Sequence, residues 1–473
     1  MESRRPNILW LCSDQQRYDT IHALGNPCID TPNLDRLCET GVAFTHAYVQ
    51  NPVCTPSRAS FLTGRYPSSI NSNILGGRNN PEHCTLITKA LADSGYHCGN
   101  IGKLHISAAW GGHENRGDDG YSEFIYSLGS GHDLYNGGSE YAKWLEAKGV
   151  RFEDIFTNDG RDYSWYREDA PLELRQTAWC AERAIDFIER NQDRPWLLSV
   201  NCFDPHPPYD APQWLVDKYL ARDLPAPIFN ESDYELNEKL WDAYHQSKHI
   251  VTPPCDDIRR KQASYCGMCE IVDTHFGLIV DALDRLGLRD NTIIIFTSDH
   301  GEMVGDHGLT HKGCRFYDGA VRVPLIFSCP ARFHSGRQIS SITELTDIAP
   351  TIAELCGIDF PDVHGQSLVP ALCDCGREFT EREFVRCEYY NSCKGPDGIK
   401  PTYATMYRDK RYKLVTYHGI EWGELYDMEA DPREEHNLWA DPQYGQLRFE
   451  LMKKSFDATV VLSRPGQVRV GRY

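Results

Sequence analysis

The chain has 473 residues, 41% of them hydrophobic and 25% charged, which suits one large globular core with a smaller appendage. Its formal net charge of −19 repels nucleic acid and anionic membranes, so an anionic substrate would have to be drawn in by a metal or a local group of cations. No stretch approaches the roughly 20 apolar residues that span a bilayer. The start, Met1 to Pro6, is polar and basic, and the apolar run Ile8 to Cys12 is too short for a signal-peptide core, so a cytoplasmic location is expected. Eighteen cysteines are scattered singly, many inside apolar runs, and read as buried reduced thiols rather than a disulfide framework. The pairs Cys266/Cys269 and Cys373/Cys375 lack partner pairs at zinc-site spacing.

In chain order, Asn7–Ser13 reads as a buried strand ending at Asp14. Thr31–Gly41 reads as a short amphipathic helix with a glycine stop, Ala59–Leu62 as the first turn of another, Leu86–Ser94 as a helix and His97–Ile101 as a strand. Residues 107–170, rich in Gly, Asp, Tyr and Trp, read as long loops that form a substrate-binding lid. Leu172–Arg190 is a long amphipathic helix and Trp196–Cys202 a strand running into the Pro-rich turn Asp204–Pro208. A long helix follows over Arg259–Leu286, then strands at Thr292–Thr297 and Val323–Phe327 and a helix at Thr346–Cys356.

Strands alternating with helices predict an α/β fold, a large, mostly parallel sheet sandwiched by helices. From about residue 380 the pattern changes. Phe384–Tyr390, Tyr403–Arg408, Tyr412–Tyr417 and Glu424–Tyr426 read as short strands, and Pro442–Phe456 as a closing helix. The expected division is a catalytic α/β domain over 1–378 and a small antiparallel α+β subdomain over 379–473. The basic tail Ser463–Tyr473 reads as an arm that could pack on a second copy of the chain.

Three polar clusters follow predicted strands: Asp14-Gln15, Asp204-Pro205-His206 and Asp299-His300-Gly301-Glu302. Ligands of such sheets sit beyond the carboxyl ends of the strands, so these clusters point to one shared site. The sharpest motif is Cys54-Thr55-Pro56-Ser57-Arg58 followed by Thr63-Gly64, of the form C-x-P-x-R-x-x-x-x-T-G. This segment resembles, at every fixed position, the signature of the type I, formylglycine-dependent sulfatases of the alkaline phosphatase superfamily, and the resemblance runs from Asn7 through Asn437.

The resemblance implies that Cys54 is oxidised after translation to formylglycine, with Pro56 and Arg58 read by the maturation enzyme. A thiolate attacking a sulfate ester would give an adduct with no easy release. A geminal diol splits the reaction, one hydroxyl attacking and the other, deprotonated, expelling sulfate. Asp14, Gln15, Asp299 and His300, with the residue at Cys54, are implied ligands of one divalent cation, calcium first, with Mn²⁺ or Mg²⁺ also admitted by the donors. Gln15 stands where many members carry a second Asp, and His300 where many carry Asn, which lowers the ligand charge. Gly102-Lys103-Leu104-His105 resembles the family's G-K-x-H segment. It implies that Lys103 bridges nucleophile and sulfate and that His105 takes the proton from the second hydroxyl. His206 is implied to contact the sulfate and protonate the leaving oxygen, Lys312 to bind a sulfate oxygen, and Arg58 to hold the diol and offset its charge. Asp347 and Arg322 match family segments and read as structural, a helix N-terminal charge and the start of a strand.

The substrate expected is a sulfated small molecule or oligosaccharide. Trp110, Trp144, Trp165, Tyr135, Asp118, Asp119, Arg161 and Asp162 suit stacking on, and hydrogen bonding to, sugar rings. Two rival readings differ by residue. A phosphonate monoester or phosphodiester hydrolase can share the Asp, Gln, Asp, His metal set but generally lacks the pair kept here as Lys103 and His105. A non-catalytic binder of sulfated glycans would be expected to lose Cys54, Asp299 or Lys312, all of which are present.

Overall fold

The computed structural model describes residues 5–78, 80–110, 113–129, 139–158, 164–230, 232–234, 255–393 and 401–462. Eight strands form the main sheet in the order Arg337–Ile339, Gly41–Phe44, Leu325–Ser328, Thr292–Ser298, Asn7–Ser13, Trp196–Asn201, His97–Gly102 and Glu123–Tyr126. Five of the seven pairings are parallel, and the two antiparallel ones flank Leu325–Ser328. The three central strands are buried along their whole length, as expected of a sheet covered on both faces. Alternation sorts their side chains. Ile8, Trp10 and Cys12 share a core with Ala59, Phe61, Leu62, Leu91 and Ile352. Leu9 and Leu11 share the opposite one with Leu34, Trp179, Phe187, Phe276 and Leu283.

Three expected elements change. The helix expected from Ala59 begins at Cys54 and runs to Thr63. All ten of its residues are buried, so it has no apolar stripe to announce its first turn. Gly64 ends it at φ 67, where a Cβ would meet Val363 Cγ1 at 3.0 Å. The Leu172–Arg190 helix is broken. A 3₁₀ turn at Leu172–Leu174 and the helix Gln176–Arg190 are separated by Arg175 in an extended conformation. Pro324, which has no N–H to give a ladder, splits the strand expected at Val323–Phe327. Arg322–Val323 pairs with Ala47–Tyr48 in a small separate sheet, and Leu325–Ser328 joins the main one.

The region 107–170 is more than loops. Glu123–Tyr126 pairs in parallel with His97–Gly102 at the sheet edge, and Glu140–Ala147 is a helix whose N-cap Ser139 accepts from Ala142 N.

Val385–Tyr390, Tyr403–Arg408, Tyr412–Tyr417 and Gly423–Asp427 form a four-stranded antiparallel sheet. The helix Gly445–Leu462 packs on it through Leu451 and Ala458. Lys413, fully buried in this sheet, pairs with Glu434 Oε1 at 2.6 Å and with Asp318 Oδ1 at 3.0 Å, tying the sheet to the segment beneath the Asp299 loop. Asp347 stands at the N-terminus of its helix, as expected, and takes part in a capping box with Glu344. Its carboxylate accepts from the backbone of Glu344 and Gln366 and pairs with Arg382. All eighteen cysteines are free thiols, twelve of them buried. Among the described residues no helix is long and apolar enough to cross a membrane. The tail 463–473, Tyr135, Arg161 and Asp162 lie outside the described residues, as does the side chain of Trp110.

Candidate active site

Neighbouring parallel strands release their loops on one edge. Asp14-Gln15 follows Asn7–Ser13, Asp299-His300 follows Thr292–Ser298, Asp204 and His206 follow Trp196–Asn201, and Lys103 and His105 follow His97–Gly102. Gly102 is required where it stands. Its φ is 85, and a Cβ would lie 2.0 Å from the Asn201 carbonyl oxygen of the adjacent strand. Cys54 opens its helix into the same space, so the helix N-terminus faces whatever anion forms on this side chain.

Every residue that the sequence assigned to the site arrives here. Lys312 Nζ lies 3.0 Å from Cys54 Sγ, and His300 Nε2 lies 3.1 Å from it. Asp14 Oδ1 lies 3.8 Å away. Burial pushes the thiol up, but Lys103, Lys312 and His300 outweigh it, with a hydrogen bond from His105, and hold Cys54 well below the ordinary thiol range. The same charges act in reverse on Lys312. Burial lowers it, while Cys54, Asp14 and Asp299 keep it above the ordinary lysine range. The sulfur marks the position at which hydroxyl oxygens would stand after conversion to a formylglycine hydrate.

Asp14, Cys54, Asp299 and His300 each turn one donor atom into a common space, all within 4.8 Å of one another. Gln15 Oε1 borders it, 2.7 Å from Lys312 Nζ. The Gly301 carbonyl accepts from His300 Nδ1 at 3.0 Å, which turns Nε2 toward the cluster. Three oxygen donors and one imidazole fit a hard or borderline divalent cation. The thiol is the one soft member, and an oxygen in its place would make the fit to calcium or magnesium better.

Arg58, 1% exposed, locks the two carboxylates. Its Nε donates to Asp299 Oδ2 at 2.8 Å and its Nη2 lies 3.5 Å from Asp14 Oδ2, while Nη1 donates at 3.1 Å to both the Lys103 carbonyl and Asn201 Oδ1. Arg58 therefore stands behind the carboxylates as a tie between three loops, and the side chain touching Asp14 from the open side is Lys103. Burial raises the Asp14 carboxyl, but Lys103, His206 and Arg58 hold it below the ordinary range.

Burial and Lys103 push His105 below the usual imidazole range. It sits at φ 57, its hydrogen bond to Cys54 puts the ring beside the nucleophile position, and its Nδ1 is buried with no partner among the described residues. Burial and Lys312 hold His206 well below the usual imidazole range. The Pro207 carbonyl, 2.6 Å away, fixes a proton on its Nδ1, and Phe203 packs against the ring at a tilt.

Four supporting residues carried no role in the sequence reading. Glu114 accepts from the backbone of His105, Ile106 and Ser107 at 2.6, 2.6 and 3.0 Å, fixing the turn that carries His105. Arg175 binds Asp210 Oδ1 at 2.7 Å and Asp204 Oδ1 at 3.3 Å, bracing the segment on both sides of His206. Asn201 and Glu302 hold Arg58 and Gln15. Asn201 and Arg175 left a trace in the sequence, since a polar residue closing an apolar strand and an arginine at the start of an amphipathic helix both need buried partners. Two of the residues proposed for sugar contact are committed to the fold instead. Trp144 Nε1 donates to Glu182 Oε1 at 3.0 Å, and Asp119 is buried in an ion pair with Arg116.

The fold and this site together define a hydrolase of the alkaline-phosphatase-like class, a sheet-edge cluster of carboxylates and cations around one buried nucleophile position. The sulfatase family model matches residues 6–358, and the model for the C-terminal part of N-sulphoglucosamine sulphohydrolase matches 305–460. The chain is 30% identical to an arylsulfatase of Clostridium perfringens, over 95% of this chain and 93% of that one. It is 26% identical to an N-acetylglucosamine-6-O-sulfatase of Bacteroides thetaiotaomicron, over 96% and 86%. Among solved structures, the phosphonate monoester hydrolase of Agrobacterium radiobacter superposes with a TM-score of 0.80 at 27% identity, covering 97% and 96% of the two chains. The chain belongs to the sulfatase family and is a sulfuric ester hydrolase.

Proposed function

We propose that this enzyme hydrolyses the sulfate ester of a sulfated carbohydrate, with a formylglycine hydrate made from Cys54 as nucleophile and a divalent cation, calcium first, held by Asp14, Gln15, Asp299 and His300. The observation that carries the reading is the convergence of Cys54, Lys312, His300 and Asp14 within 3.8 Å of one sulfur. The hydrate supplies one hydroxyl to attack sulfur and a second whose deprotonation releases sulfate. The cation supplies charge neutralisation and a lowered hydroxyl pKa. Lys103 and Lys312 bind the non-bridging sulfate oxygens, where negative charge disperses in the transition state. His105, hydrogen-bonded to the Cys54 side chain and held below the usual imidazole range, takes the proton of the second hydroxyl. His206, its Nδ1 proton fixed by Pro207, takes up a solvent proton on Nε2 once the anionic substrate has raised its basicity and passes it to the leaving oxygen.

Cys54, Pro56 and Arg58 are all buried. A maturation enzyme reading that segment has to act before the chain folds. The carbohydrate preference draws on the similarity to the N-acetylglucosamine-6-O-sulfatase.

Catalytic efficiency on an aryl sulfate, a panel of sulfated sugars and a phenyl phosphonate ester tests the reading. Sulfate esters should lead. The likeness to the phosphonate monoester hydrolase makes the reverse order the meaningful refutation, whereas retention of Lys103 and His105 favours sulfate. Cys54→Ala should abolish turnover, and mass spectrometry of the Cys54 peptide from the native host should show the aldehyde rather than the thiol.

A further inference from the structure

Gln15 occupies a cation-ligand position where a neutral amide has two possible orientations, only one of which offers an oxygen. Lys312 Nζ, which can only donate, lies 2.7 Å from Oε1, and the Glu302 carboxylate, which can only accept, takes the hydrogen bond from Nε2. Glu302 is itself immobilised. Its Oε1 accepts from the backbone of Val304 at 3.1 Å and from that of His311, which leaves Oε2 for the amide of Gln15. Both side chains are fully buried. The main chain of Gln15 is held too, by Asp299 Oδ1 on its N–H at 3.0 Å and by the Tyr265 hydroxyl on its carbonyl at 2.6 Å, at φ 68.

We propose that Glu302 is a positioning residue for the cation site: it fixes the amide of Gln15 so that the carbonyl oxygen, and never the NH₂, faces the cation and Lys312. The inference rests on the reading that this cluster holds a divalent cation. It also accounts for the residue type. An acidic side chain at position 15 would face the Glu302 carboxylate across a buried contact, so the negative charge sits one residue behind the ligand instead of on it. The geometry sets the outcome of Glu302→Gln. Two backbone N–H groups demand the oxygen of the new amide, so its NH₂ must turn to Gln15. Gln15 satisfies it by reversing, which presents NH₂ to Lys312 and the cation.

The test is Ca²⁺ binding by isothermal titration calorimetry on the full chain after chelation, with circular dichroism as the check on folding. Glu302→Gln should weaken Ca²⁺ binding by about 10–100-fold. The exchange variant Gln15→Glu/Glu302→Gln should recover to within about threefold of wild type, because a carboxylate at 15 accepts from the new amide with one oxygen and faces the cation with the other. Glu302→Gln binding as tightly as wild type, or an exchange variant that is unfolded or binds as weakly as Glu302→Gln, overturns the proposal. Failure of the wild-type chain to bind Ca²⁺, Mg²⁺ or Mn²⁺ would sink the cation reading and the pairing together. Wild-type binding beside an indifferent Glu302→Gln sinks the pairing alone.

Discussion

Truncating Arg58 separates structure from chemistry most sharply. Arg58→Ala leaves Asp299 and Asp14 without their guanidinium and strips a donor from the Lys103 carbonyl and from Asn201. Removing one partner of a buried ion pair costs about 3–5 kcal/mol, and two neutral acceptors losing a hydrogen bond add about 1 kcal/mol each. The expected loss in cation-free protein is therefore ~5–7 kcal/mol, a large share of the ~5–15 kcal/mol that a folded protein holds. With an unfolding entropy of about 2.1 cal/mol/K per residue, a chain this long loses about 1 °C of Tm per kcal/mol, so Tm should fall by about 5–7 °C.

Arg58→Lys keeps a charge but not the fork, and should lose about half as much. A divalent cation at about 100 times its Kd should return ~2.7 kcal/mol by binding the same carboxylates in the native state. The assay is a thermal melt of protein carrying unmodified Cys54, with chelator and then with CaCl₂, so that the effect of Arg58 on maturation does not enter. A fall in Tm under about 2 °C for Arg58→Ala would refute the view that this guanidinium neutralises the site from behind.

Three further outcomes follow from the geometry. His206→Ala should lower kcat about 10²–10⁴-fold on a sulfated sugar, whose alkoxide needs a proton, and far less on nitrophenyl sulfate; equal losses on both would remove His206 from leaving-group protonation. Glu114→Gln replaces one of the two oxygens that hold the His105–Ser107 turn and should reduce kcat about tenfold with KM nearly unchanged; rescue by Glu114→Asp to near wild-type kcat would show that the acceptor rather than its reach matters. Burial pushes the Asp273 carboxyl from its usual 3.8 to about 6, so the folded chain holds that proton more tightly than the unfolded one. The contribution is complete below about pH 4 and is lost as pH rises through about 6, a difference of about 3 kcal/mol. Asp273→Asn should therefore flatten this part of the pH–stability curve and raise Tm at pH 7; an unchanged slope between pH 4 and 7 would refute it.

Much of the site was legible in the order of residues along the chain. Cys54, Pro56 and Arg58 stand at fixed spacing because one helix brings the Cys54 side chain and the Arg58 guanidinium to the same cluster of carboxylates. Asp14, Gln15, Asp299 and His300 stand at strand ends because parallel strands deliver their loops to a common edge. The apolar runs that became the central strands were equally plain, since a strand buried on both faces has almost no freedom in composition.

The tertiary structure decided what periodicity cannot encode. The helix opening at Cys54 is buried on every side, so its Thr, Ser and Arg residues look like a loop until Asp299, Asn201 and Lys103 are brought to them across more than forty residues of sequence or more. Pro324 and Arg175 break elements that hydrophobic pattern alone runs together. Glu302 gains its place beside Gln15 only because two strands nearly three hundred residues apart in the chain lie next to each other. Sequence specifies which side chains carry the chemistry, since each must be of one type. Which of them touch, and which partner holds each in its working orientation, is set by packing between distant segments, where a buried polar group is stable only if the fold supplies its complement.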